Sequence, residues 1–372
     1  MKKLTSAVLV FSLLALLFAL APTATHAQAA VACQEDVTVQ ADDWLSKYAD
    51  KFYGDPLAFP AIFEATNAAA AADSSYATIE NPDLIEIGWK VCIPSASEAQ
   101  AILVRLGAES AATDDLLAEI MARGTIRVST DPNYAPQSFL EADGTFVGFD
   151  IDVAREIASR LGVEVEFVTP DWDLITAGNW GDQWDISVGS MTVTSARQKV
   201  LWFAQPSYYY TPAQFAAAND SGIETLDDIA GQTVCVGVST TYESWLNGDL
   251  AGLGLPPESF FAEIPADVTV FPLSTDNECV QSIQAGRTEF SVVLTSNTVV
   301  EAAMAEGAPI HKVGSPVFSE NLAVSVDKNH SKDPLRLVSE VSRVVGEMHA
   351  DGTLSELSMK WFGEDLTTDP TK

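Results

Sequence analysis

The sequence predicts an α/β protein in which a small β-α-α-β unit leads into a larger domain built on a mostly parallel sheet. Three observations predict it. From Gly124 onward, β-branched runs alternate with segments of helical period, the pattern of strands joined by crossover helices. Before Gly124, residues 37–94 hold a short strand, two helical segments and a closing strand. The composition, 47% hydrophobic with 22 Gly and 18 Pro in 372 residues, is that of a globular chain with room for two or three domains.

The chain opens with Lys2 and Lys3, an apolar run from Leu4 to Ala21, then Pro22 and small-residue cleavage options ending at Ala27 and Ala29. Residues 1–29 therefore read as a secretory signal peptide, and the mature protein is expected to be exported, periplasmic or extracellular, in association with the cell envelope. No later stretch reaches the roughly 18 apolar residues of a membrane span. Four cysteines in an oxidising compartment suggest disulfides, with three connectivities open. Pairing Cys33 with Cys92 and Cys235 with Cys279 would staple one unit at a time. The lack of close Cys or His spacing argues against zinc, and no metal or cofactor is expected.

The formal net charge is -32, from 52 acidic and 20 basic residues. Such a surface repels nucleic acid and anionic membranes. It also means that an anionic ligand needs a local cation, so a pocket arginine becomes informative.

In the first unit, Val37 to Val39 reads as a strand and Asp42 to Ala49 as a helix with an acidic first turn. Phe59 to Thr66 reads as a second helix ending near Asn67, and Ile87 to Pro94 as a turn and closing strand. This order, with the Gly88…Ile93-Pro94 ending, resembles the LysM domain over residues 33–94. The resemblance implies binding to N-acetylglucosamine-containing glycans such as peptidoglycan. The match is degenerate: Ala41-Asp42-Asp43-Trp44-Leu45 stands for the usual Gly-Asp-Thr-Leu, and Ala68 to Ala72 is inserted after Asn67. A spacer or docking role is the competing reading. Residues 95–115 read as a partly helical linker, and Asp114 to Met121 as an amphipathic helix into the main domain.

In the main domain, Thr125 to Ser129 is a strand, Val147 to Ala158 a helix, Val163 to Val168 a strand and Asp185 to Gly189 another. Ligands in such sheets sit beyond the carboxyl ends of the strands, where Asp131, Tyr134, Ser190 and Arg197 fall. The stretch from Asp185 to Arg197 organises this reading. It runs from a strand through Gly189, Ser190 and Thr192 to a helix start expected at Thr194 or Ser195. Small residues allow close approach of a ligand, hydroxyls and free N–H groups favour an anion, and Arg197 adds a planar fork for a carboxylate. A capped helix with a surface arginine is the plainer alternative.

Thr130-Asp131-Pro132-Asn133-Tyr134-Ala135-Pro136, Val147-Gly148-Phe149-Asp150-Ile151-Asp152 and Gly189-Ser190-Met191-Thr192-x-Thr194-x-x-Arg197 occur in this order. They resemble the family 3 extracellular solute-binding proteins, the polar amino-acid receptors of ABC importers. Val236 to Thr241, Gln284-Ala285-Gly286-Arg287 and Asp351 to Leu354 before Trp361-Phe362 extend the resemblance, which covers about residues 116–365. It implies a two-lobed periplasmic-binding-protein fold of type II that closes on its ligand. Lobe 1 would be about 124–211 and 319–362, and lobe 2 about 212–318, with hinges at Tyr208 to Pro212 and Val313 to Asn321. It also implies a monomeric receptor working with a membrane ABC permease.

By the same resemblance, Arg197 grips a ligand carboxylate, helped by Gly189, Ser190 and Thr192 from one lobe and Thr240 and Thr241 from the other. Tyr134 and Trp172 align with wall positions, where core packing is the competing role, and Asp131 with a residue that reads the ligand side chain in basic amino-acid receptors. Asp131 also fits a turn before Pro132. One departure stands out. The family acid that takes the ligand ammonium would fall near Leu294-Thr295-Ser296, where this chain has no carboxylate and Thr295 stands as the ligand-binding candidate. A buried ammonium without an anion is costly, so either Asp131 serves it or the small carboxylate-bearing ligand lacks an α-ammonium. Catalysis is not expected, because none of the four His stands in a nucleophile motif. Two alternatives stay in view: a dehydratase-like enzyme of the same fold, with Asp131 as general acid, and a cell-wall glycan attachment protein.

Overall fold

The computed structural model describes residues 33–370 except 41–42, 55–57, 83 and 113–114, so the expected signal peptide lies outside the described residues. In the small unit, strand Cys33–Thr38 pairs antiparallel with Lys90–Pro94. Helices Leu45–Tyr53 and Phe59–Ala72 pack on the pair through Leu45, Tyr48, Ile62, Val91 and Ile93. The second helix runs through Ala68 to Ala72 instead of stopping at Asn67, because alanine is the best helix former. Asn67 does a different job. Its amide exchanges two hydrogen bonds with the backbone of Ile79, at 2.9 and 2.8 Å, and pins the following loop. A disulfide between Cys33 and Cys92 joins the unit's first and last strands.

The stretch read as a partly helical linker is one helix, Ala96–Ala112. Ser95 and Glu98 cap it reciprocally, Glu98 N–H donating to Ser95 Oγ and Ser95 N–H to Glu98 Oε2. Its Ala99 and Ile102 pack on Ala61, Ala65 and Cys92 of the small unit.

The main domain has two five-stranded sheets. In the first, Glu164–Val168, Thr125–Ser129 and Ile186–Ser187 run parallel, and Ser325–Asp327 and Leu201–Phe203 complete it antiparallel. In the second, Thr269–Leu273, Thr233–Gly237 and Val292–Ser296 run parallel, followed by the antiparallel strands Tyr209–Ala218 and Ile310–Leu322. The chain crosses between lobes along these last two strands, which pair from Tyr209 opposite Leu322 to Ala218 opposite Ile310. Each lobe has its own apolar core. Ile126, Val128, Phe149 and Val341 belong to the first, and Phe215, Val234, Trp245 and Phe318 to the second. The disulfide Cys235–Cys279 ties a strand to helix Asp276–Gln284 inside the second lobe. Among the described residues, no helix is long and apolar enough to cross a membrane.

Candidate functional site: the cleft between the lobes

The strand ends of both sheets converge on a cleft between the lobes. Asp131, Tyr134, Trp172, Gly189, Ser190, Thr192 and Arg197 line it from the first lobe, and Thr240 and Thr241 from the second. The cleft thus gathers nine of the expected residues. Thr295, the tenth, is buried behind the wall, its hydroxyl against the Asp276 carboxyl and without another partner.

Arg197 does not follow a helix start. The segment after Thr194 makes only a three-residue 3-10 turn, Arg197–Lys199, with Arg197 N–H donating to Thr194 Oγ1 at 3.2 Å. The positive group at this point is therefore the guanidinium and not a helix end. Arg197 is 7% exposed and lies over the Trp172 ring, 5.3 Å from its centre. Its Nη1 donates to the Thr192 carbonyl and its Nη2 to the Ser239 carbonyl of the other lobe, both at 3.0 Å. Trp172 Nε1 donates to the same Ser239 oxygen at 3.3 Å. Burial pushes the guanidinium down to about 10, with Glu320 pulling the other way.

The hydroxyls are arranged differently from the expectation that they donate to a ligand carboxylate. Ser190 Oγ donates to Asp150 Oδ2 at 2.7 Å, and Thr192 Oγ1 donates to Glu320 Oε1 at 2.7 Å. Thr241 Oγ1 also donates to Glu320 Oε1, and Tyr242 Oη to Glu320 Oε2 at 2.7 Å. Thr240 Oγ1 donates to the Gly237 carbonyl at 2.7 Å while accepting from Glu243 N–H as a helix cap. An ionised carboxylate only accepts, so the protons of Ser190, Thr192, Thr241 and Tyr242 are directed at the protein's own acids. What these hydroxyls have left for the cleft is lone pairs.

Two carboxylates escaped the sequence reading. Glu320, on crossing strand Ile310–Leu322, is fully enclosed and bonded to hydroxyls of both lobes. Burial raises its carboxyl, against the three hydroxyls and Arg197. Its signal was an acid alternating with Phe318 and Leu322 in a strand. Asp276 opens helix Asp276–Gln284, where an acid passes for ordinary first-turn chemistry. Its Oδ1 accepts from Gly237 N–H at 2.6 Å, and burial pushes the carboxyl up to about 7. Asp131 accepts from Asn133 N–H at 2.7 Å, as its turn requires, and burial raises its carboxyl too. The lobes also touch where Asn133 Nδ2 donates to Thr275 Oγ1 at 3.3 Å and Gln281 Nε2 to Asn133 Oδ1 at 3.1 Å. Among the described residues, no group of three or more His, Cys, Asp or Glu is placed to hold a metal ion.

Residues 126–364 match the model of the bacterial extracellular solute-binding proteins, family 3. The chain belongs to this family. Among curated relatives, the L-cystine-binding protein TcyJ of Escherichia coli K12 is 28% identical over 72% of this chain and 94% of its own length. The lysine/arginine/ornithine-binding periplasmic protein of the same strain is 27% identical, over 64% and 87%. Among solved structures, an ancestral arginine-binding protein bound to arginine is 29% identical with TM-score 0.54, covering 65% of this chain and 99% of that one. The ancestral amino acid-binding protein AncCDT-1, a precursor of cyclohexadienyl dehydratase, is 29% identical with TM-score 0.55, over 66% and 99%. This solute-binding protein therefore shares the two-lobed fold of amino-acid receptors and carries a further unit at its N-terminal side.

Proposed function

We propose that the protein is an exported receptor that captures an amino acid with its α-ammonium, preferably one with a cationic side chain, and delivers it to an ABC importer. The observation that carries this reading is the charge balance of the cleft. One buried guanidinium, Arg197, shares the space with three acids, Asp131, Asp276 and Glu320. Arg197 would take the ligand carboxylate. Glu320 and Asp276 would take the ammonium, replacing the acid missing at Thr295 and Ser296, and the lone pairs of Ser190 and Thr192 would accept further N–H groups. Asp131 would meet the side chain. The relatives that bind lysine, arginine or ornithine support this choice of ligand.

We read the cleft as non-catalytic and the protein as a monomer, with the small unit as an envelope anchor on peptidoglycan. Isothermal titration with L-arginine, L-lysine, L-glutamine and L-cystine tests the receptor reading, with Arg197→Ala as control. Submicromolar binding that Arg197→Ala abolishes is expected; equal binding by the variant refutes it. Co-sedimentation of the full-length protein with purified peptidoglycan tests the anchor.

A further inference from the structure

We propose that Asp150, a buried carboxyl behind the cleft, is a positioning residue that decides whether the Ser190 hydroxyl offers the ligand a lone pair or a proton. The inference rests on the receptor reading, because it concerns how the same cleft takes an amino acid.

Asp150 lies in the first turn of helix Phe149–Leu161 and is fully buried. Its Oδ2 accepts from Ser190 Oγ at 2.7 Å and its Oδ1 from Tyr208 Oη at 2.9 Å. The Tyr208 oxygen accepts from Ser190 N–H at 2.8 Å, which closes a ring, and Tyr209 Oη donates to Ser190 Oγ at 2.7 Å. Ser190 has φ 54°, a left-handed conformation that non-glycine residues rarely adopt, and these bonds hold it there.

No cation balances Asp150 among the described residues. Tyr208 and Tyr209 face it from the start of the crossing strand, and Glu320 acts on Tyr209 from beyond. On its own helix, Asp152 pairs with Arg155 at 3.5 Å. From the C-terminal helix, Lys360 and Trp361 also bond Asp152, while Phe362 stacks on Tyr209 and packs tilted against Phe149. Burial pushes the Asp150 carboxyl up to about 7, opposed by the Ser190 and Tyr208 hydroxyls.

Two hydrogen-bond patterns follow. Ionised, Asp150 can only accept, so Ser190 must donate to it; Ser190 then accepts from Tyr209 and keeps one lone pair for a ligand N–H. Protonated, Asp150 donates to Ser190 Oγ, which now accepts from both Asp150 and Tyr209. The Ser190 proton turns into the cleft, where it opposes an ammonium. An amine-bearing ligand thus favours the ionised form, and its binding near pH 7 releases a proton to solvent.

The test is calorimetry on the full-length protein with L-arginine, L-lysine, L-glutamine and L-cystine at pH 5.5, 7 and 8.5. For whichever binds, Kd is expected to be about tenfold weaker at pH 5.5 than at 8.5, the scale of one hydrogen bond reversed. At pH 7, two buffers of different ionisation enthalpy should reveal the released proton. Asp150→Asn should shrink the pH step, and so should Ser190→Gly, which keeps Asp150 and suits the left-handed backbone. Asp276 contributes a step of its own that both variants retain. A wild-type Kd unchanged with pH, or a step of undiminished size in Ser190→Gly, overturns the proposal and leaves the receptor reading standing. No binding by any of the four amino acids overturns both.

Discussion

The Arg197 guanidinium spans the two lobes, bonding the Thr192 carbonyl on its own side and the Ser239 carbonyl opposite, each at 3.0 Å. On the proposed receptor reading, a single side chain would both take the ligand carboxylate and tie the two lobes together. Arg197→Lys keeps the charge but has no planar fork and cannot hold both carbonyls while gripping a carboxylate. Its affinity should fall at least tenfold, read by titration calorimetry. Small-angle scattering should show a larger share of open molecules.

Glu320→Gln tests the relocated counter-charge. The amide can still accept from the hydroxyls on one side, but it has no charge for an ammonium. Losing a charge-assisted bond of about 1.5–3 kcal/mol predicts roughly 10- to 100-fold weaker binding of an amino acid. A deaminated carboxylic acid of the same shape should lose nothing. Equal losses for both would assign Glu320 to lobe closure alone.

Gly237→Ala should damage the site from behind. A Cβ there would lie 2.7 Å from Asp276 Oδ1 and 2.9 Å from Thr240 Cγ2. Asp276 also accepts from the Gly237 N–H, so relief of the clash moves the acid out of place. Overpacking of this kind costs about 1–3 kcal/mol. A lower melting temperature and weaker ligand binding should appear together in differential scanning fluorimetry with and without ligand.

Stability should depend on pH through two buried acids. Asp150 and Asp276 both reach about 7 in the folded protein, against an ordinary 3.8. Between these values the folded state binds more protons than the unfolded one, so stability falls as pH rises through this window. The unliganded melting temperature should be higher near pH 5 than near pH 8. Asp150→Asn and Asp276→Asn should each flatten that slope.

Reduction of Cys235–Cys279 releases a closed segment of 44 residues in sequence. In the chain-entropy account such a bridge contributes about 4 kcal/mol. A Cys235→Ala, Cys279→Ala protein should melt at lower temperature yet bind with little change, because neither sulfur reaches the cleft.

Much of the architecture was legible because its signals are local. The strand–helix alternation after Gly124 depends on neighbours in sequence and lies where the pattern placed it. The segment after Gly189 follows its strand as expected but makes a 3-10 turn in place of the helix start at Thr194 or Ser195. The capping pair Ser95 and Glu98 was equally local and would have revealed the helix Ala96–Ala112. Glu320 and Asp276 were not legible as site residues, because their meaning comes from the opposite lobe. Nor can a sequence show which way a hydroxyl points. Ser190 reads as a donor until the buried Asp150 beneath it claims the proton.

Glu320 is part of one of the two strands along which the chain crosses between the lobes. On the receptor reading, the charge of a captured solute would consequently be felt at the axle and not just at the jaws. Redesigning selectivity at this position would retune how fast the receptor releases cargo, so uptake rate and substrate choice should evolve as one trait.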